Sequence, residues 1–210
     1  MVRALGPAAI TVVLLMACGC ASKPRVMVPP RIDLRAHEVI GIIDFTCATK
    51  NVLAPLATAR FIEAARQDQG MVRVTRLGTE NEVLQAISQT RLDPAAFKAL
   101  GEKYGVATIV MGDLALSEVR PNISVFKSLT SLGLSVDVQA TLTVQIIEAA
   151  SGASLWSRSA GTTRQIGGAS LSGNKNIRLD VDDPDNAYVE LVNHLVYAVT
   201  PEFRVTWERR

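Results

Sequence analysis

Glu38-Val39-Ile40-Gly41-Ile42-Ile43-Asp44-Phe45 is an apolar run almost without a break. Its length and β-branched content suit a strand covered on both faces, which implies helices above and below a sheet. On its C-terminal side the period becomes helical from Asn51 to Gln69, with Val52, Leu56, Ala59, Ile62 and Ala65 forming the expected stripe. Pro55 fits only in the first turn of that helix. Gly70 ends it, and Val72-Arg73-Val74-Thr75-Arg76-Leu77 alternates as a second strand.

Thr79 and Glu82 have capping-box spacing and predict a short helix over 80–89. Asp93-Pro94 opens another, running to Tyr104 and closed by Gly105. Ala107 to Met111 is a third, buried strand that leads through Gly112-Asp113 into Leu114–Glu118. From Ser135 to Glu148 the alternation is long, with Val136, Val138, Ala140, Leu142, Val144 and Ile146 on one face. Ser151-Gly152-Ala153 turns the chain into an antiparallel partner over 154–157, and 162–175 reads as a flexible, polar hairpin. Asp183-Pro184 starts a last helix through Val199, Pro201 ends it, and 203–207 reads as a closing edge strand. The expected fold is a single α/β sandwich domain with a mixed sheet, spanning 38–208.

Ahead of the domain, Arg3 is followed by an apolar run from Ala8 to Ala17, then by Ala17-Cys18-Gly19-Cys20-Ala21-Ser22. A basic start, a short apolar core and small residues describe a cleaved secretory signal. Ten apolar residues would span about 15 Å as a helix, half a bilayer core, which argues against a permanent span. The ending resembles the lipobox of bacterial lipoproteins. That resemblance implies acylation of the cysteine that becomes the first mature residue, Cys20 or, alternatively, Cys18. Neither is followed by Asp, which in Gram-negative lipoproteins implies the outer membrane, facing the periplasm. The leader is then 1–19, and Pro24, Pro29 and Pro30 make 20–37 an extended tether.

Lys+Arg number 22 and Asp+Glu 20, so charge gives no reason to expect a nucleic-acid ligand. Cys47 is read as a small buried residue at a strand end. No HExxH, CxxC, GxSxG or GxxxxGK[ST] spacing occurs, and no cofactor or metal is expected. Asp180, Asp182, Asp183 and Asp185 lack the Gly and distal Glu of a calcium loop, and Asp183 and Asp185 suit a helix N-terminus. Ser170 and Ser172 have no base placed near them. Asp44 and Asp113 would reach one sheet edge, where a glycan-modifying hydrolase could use two carboxylates, although each also suits a turn cap.

Ile40-Gly41-Ile42-Ile43-Asp44-Phe45, Leu100 to Gly105, Ala107 to Leu114 and Val144 to Ser157 together resemble the envelope lipoproteins that include CsgG, LpoB and PelC. Their shared fold is similar to the N-terminal domain of TolB. The group usually carries a D-x-x-T-G type turn, and the chain departs from it at the acidic position of Glu148-Ala149-Ala150-Ser151-Gly152. The resemblance implies a non-enzymatic adaptor or assembly factor, either a scaffold or a ring component in envelope biogenesis or export. A PelC-like ring suits the short tether. An LpoB-like activator of a peptidoglycan synthase would use a longer arm. A CsgG-like secretion pore needs two hairpins with apolar lipid faces. Arg120–Gln145 suits one, whereas 157–179 holds Arg158, Arg164, Lys175 and Arg178, at about 2–4 kcal/mol for a midplane cation. Phe126, Leu129 and Leu132, in the loop before the long strand, are the candidates for partner contact.

Overall fold

The computed structural model describes residues 25–50, 52–117, 120–125, 132–172, 176–180 and 184–209. Two compact units result, one of 29–205 and one joining residues 25–28 with 206–209. The larger unit carries strands β2 (Val39–Ile43), β3 (Arg73–Gly78), β4 (Thr108–Leu116), β5 (Arg120–Val125), β6 (Leu132–Glu148), β7 (Ser154–Ser172) and β8 (Asn176–Asp180). Its helices are α1 (Leu53–Arg66), α2 (Glu80–Ala86), α3 (Pro94–Tyr104) and α4 (Pro184–Val199). The smaller unit is a two-stranded antiparallel ribbon of β1 (Arg25–Val28) and β9 (Thr206–Arg209).

The seven strands of the larger unit form one mixed sheet in the order β3-β2-β4-β6-β7-β8, with β5 added beside β6. β2 lies parallel to both β3 and β4, and every pairing from β4 onward is antiparallel. Both faces of β2 are covered, as its apolar run requires. Ile40 and Ile42 join the core under α1 and α4, whose contributions include Ala57, Phe61, Leu191, Leu195 and Val199. Ile43 joins a smaller core on the opposite face, under α2 and α3, with Val83, Phe97 and Leu100.

Local signals set the starts of α2 and α3 and the end of α3 as the sequence implies. Thr79 and Glu82 form the reciprocal capping box of α2. Asp93 accepts from the Ala96 N–H at 2.9 Å, and Gly105 closes α3 with a left-handed φ of 65°. A side chain at Gly101 would place its Cβ 2.7 Å from that of Ala149, so the glycine lets α3 lie against the sheet.

Five expectations need correction. The buried stripe of α1 is Leu53, Ala54, Ala57, Thr58, Phe61 and Ala65, while Val52 is 78% exposed. Phe61 sets that phase, because it is the largest side chain of the helix and meets Phe45 and Phe203. Residues 162–172 are regular strand rather than a flexible hairpin, since β7 continues to Ser172 and pairs with β6 as far as Gly133. Leu132 lies not in a loop but in β6, opposite Val125, within the hairpin that Arg120–Gln145 suits. Phe203 is fully buried in a 3-10 turn over Pro201–Phe203, and the last strand starts later, at Thr206. Residues 32–37 are not extended as expected: Leu34 is buried in a 3-10 turn, and the Ile32 N–H donates to the Glu202 carbonyl at 3.1 Å.

Candidate functional site

Two places in the larger unit carry an ordered chemistry. The first follows from topology. The β2–β3 crossover passes α1 over one face, and the β3–β4 crossover passes α2 and α3 over the other. Opposite crossovers open a crevice at the carboxyl ends of the strands. An open groove of about 740 Å³ lies there, with Asp44, Thr46, Thr79, Glu80 and Asp113 on its walls.

Asp44 and Asp113 therefore do come to one sheet edge, and each is engaged by a neighbour. The Arg76 guanidinium donates through Nε and Nη2 to the two oxygens of Asp44, the second at 2.8 Å. That carboxylate raises the pKa of Arg76 above its ordinary value. The Thr46 hydroxyl donates to Asp113 at 2.6 Å, and the Thr46 N–H donates to the Gly112 carbonyl at 2.9 Å. These bonds tie the loop after β2 to β4, and they give both carboxylates a structural task. Among the described residues no group of three or more His, Cys, Asp or Glu side chains could hold a metal ion. Cys47 is free and buried beside the groove, as its sequence position implies, and His194 is exposed on α4.

The second place is the far end of the sheet. Beyond the body, β5, β6, β7 and β8 run on as a four-stranded extension. Register shows how its positions divide. On β5 and β6, Pro121 stands opposite Val136, Ile123 opposite Leu134, and Val125 opposite Leu132. On β7 and β8, Leu134 faces Ala169, which faces Leu179, and Leu171 faces Ile177. Opposed positions share a face, so all of these, together with Gly167 opposite Val136, form one apolar set. The other face takes Asn122, Ser124, Gly133, Ser135, Gly168, Ser170, Asn176 and Arg178.

The cations of 157–179 consequently fall elsewhere than the sequence suggests. Arg158 and Arg164 lie in the part of β7 that packs on the body, where Arg158 donates to Glu202 at 2.7 Å and Arg164 pairs with Glu190. Arg178 stands opposite Ser170, on the polar face. Lys175 lies outside the described residues, as do Cys18, Cys20, Phe126, Leu129, Asp182 and Asp183. Of the candidate partner contacts, Leu132 is placed, on the apolar set of the extension. Alternation inside 162–172 was hidden because Thr, Gly and Ser suit either face.

No protein-family model matches the chain, and no curated protein matches it. Among solved structures, a dodecamer of a PelC point variant from Paraburkholderia phytofirmans is 12% identical, with 86% of this chain and 97% of that one covered and a TM-score of 0.42. A neuraminyllactose-binding hemagglutinin homologue from Helicobacter pylori is 12% identical over 81% of this chain and 83% of that one, with a TM-score of 0.45. The LpoB C-terminal domain from Escherichia coli is 8% identical over 74% and 94%, with a TM-score of 0.35.

Proposed function

We propose that this chain is a lipid-anchored envelope protein with a non-enzymatic role, and that its copies assemble edge to edge into a scaffold at the periplasmic face of the outer membrane. The amphipathic extension is the observation that supports this reading most. Its two outer strands, β5 and β8, have no further strand partner among the described residues. β5 and β7 each run against β6, and β8 runs against β7, so β5 and β8 point in opposite directions. One copy's β8 can therefore continue the antiparallel sheet onto the next copy's β5. A contact between two different edges is head-to-tail, and it closes into a ring when the rotation permits. Pro121 withholds one N–H near the start of β5, leaving Asn122 to Val125 as the pairing edge.

Cysteines placed on the two edges test this in intact membranes. With Asn122→Cys and Arg178→Cys in one chain, oxidation should give a ladder of multiples on a non-reducing gel. Monomer only, with both thiols titratable, would overturn the proposal.

The secretion-pore reading gains from the register, since the lipid-facing set would hold no Arg or Lys among the described residues. Length counts against it. Among the described residues, six paired positions on β5 rise about 20 Å, or about 15 Å when tilted near 40°, short of the ~25 Å apolar band of a spanning barrel. Conductance steps from purified protein in a planar bilayer would favour the pore over the scaffold.

A further inference from the structure

The small ribbon holds a second pattern that the assembly reading leaves unused. Its register places Met27 opposite Trp207 and Arg25 opposite Arg209. Residues two apart on a strand share a face, so these four positions fall on one face of the ribbon. Met27 is 56% exposed and Trp207 62%. Like charges directly opposite one another disfavour a strand pair, and a two-stranded sheet alone is only marginally stable in water. A large anion seated between the arginines, with an apolar layer next to it, would remove both costs.

The geometry points to a phospholipid surface as that occupant: the Arg25 and Arg209 positions take headgroup phosphates, and the Met27–Trp207 pair enters the headgroup–acyl boundary. Tryptophan favours that boundary because one side of the indole is apolar while its N–H stays among polar groups. Guanidinium and phosphodiester form paired, charge-assisted hydrogen bonds. Chain length delivers the ribbon to this surface. Arg25 lies five residues on from Cys20, an extended reach of at most about 18 Å. The inference thus rests on acylation at Cys20, and a single anchor would be joined by a second, interfacial contact.

Quenching by brominated lipid tests the contact on the full chain. The protein has two tryptophans, and Trp156 is tied to Glu202 by an indole N–H bond of 2.8 Å, which makes it the internal reference. Wild type and Trp207→Phe are reconstituted in vesicles of phosphatidylethanolamine and phosphatidylglycerol with brominated acyl chains. Mass spectrometry of the N-terminal peptide reads acylation independently. The expected result is an acylated chain whose Trp207 emission is quenched, leaving a residual signal equal to that of Trp207→Phe. Changing Arg25 and Arg209 together to Gln should lower the docked-to-free ratio about 25-fold, from roughly fivefold for each arginine. Acylated protein with Trp207 unquenched, or quenching unaffected by the double Gln change, overturns the ribbon contact while leaving the anchor intact. An unacylated N-terminus overturns the anchor reading and this inference with it.

Discussion

The side-chain amide of Gln69 donates to the carbonyl of Phe203, 134 residues further along the chain, at 2.7 Å. The same amide donates to the Ile32 carbonyl at 2.8 Å, and its oxygen accepts from the Leu34 N–H at 2.9 Å. Gln69 is 3% exposed, so one polar side chain just past α1 satisfies backbone groups from both ends of the larger unit. Gln69→Ala leaves two carbonyls and one N–H buried without partners. It should cost roughly 2–4 kcal/mol in urea unfolding. A loss under about 0.5 kcal/mol would show that water replaces the amide there.

Acid should weaken the helix starts before it disturbs the core. The Thr79 N–H beside Glu82 lowers its carboxyl below the ordinary 4.5, and the Ala96 N–H beside Asp93 lowers that group below 3.8. A folded value below the unfolded one stabilises above the unfolded pKa, and the gain is lost as pH falls through the folded value. Glu82→Gln with Asp93→Asn keeps the hydrogen-bonding shapes without the charges. Its melting temperature should lie below wild type at neutral pH, with the gap closing at pH below both lowered values. A gap independent of pH would contradict the charge-based account.

The division of the extension into faces yields a paired prediction. Leu134 and Ser135 are neighbours in β6 with opposite faces. Leu134→Lys should abolish edge-linked multiples at little cost to monomer folding, whereas Ser135→Lys should leave them. Equal behaviour of the two variants would show that the apolar set takes no part in assembly.

The anchor residue is also open to test. With Cys20→Ser, palmitate labelling should disappear and the protein should leave the membrane fraction. With Cys18→Ser, labelling should persist. The reverse pattern would move the mature start to Cys18.

How far the sequence speaks depends on what its residues are able to signal. Val138, Ala140, Leu142, Val144 and Ile146 announce their face, because apolar residues alternate there with Thr and Gln, and all five are buried. α3 is equally plain, with Asp93-Pro94 at its start and Gly105 at its end. The phase of α1 is not, because alanines occur all round the helix and only packing against Phe45 and Phe203 selects the Phe61 side. The outer part of β7 is hidden for a different reason. Gly, Ser and Thr along 161–172 carry weak strand signals, and their partners on β6 and β8 determine their pairing. At the crevice, the sequence places Asp44 and Asp113 at one sheet edge, but not Arg76 and Thr46 as the groups that engage them.

The most direct test of assembly is the mass of the full-length, detergent-extracted protein, measured by light scattering with the detergent contribution subtracted. One discrete mass, a fixed multiple of the 22.6 kDa chain after allowance for leader removal and acylation, is the result expected of a closed ring. A monomer at every concentration and in mild detergents would contradict edge-to-edge assembly.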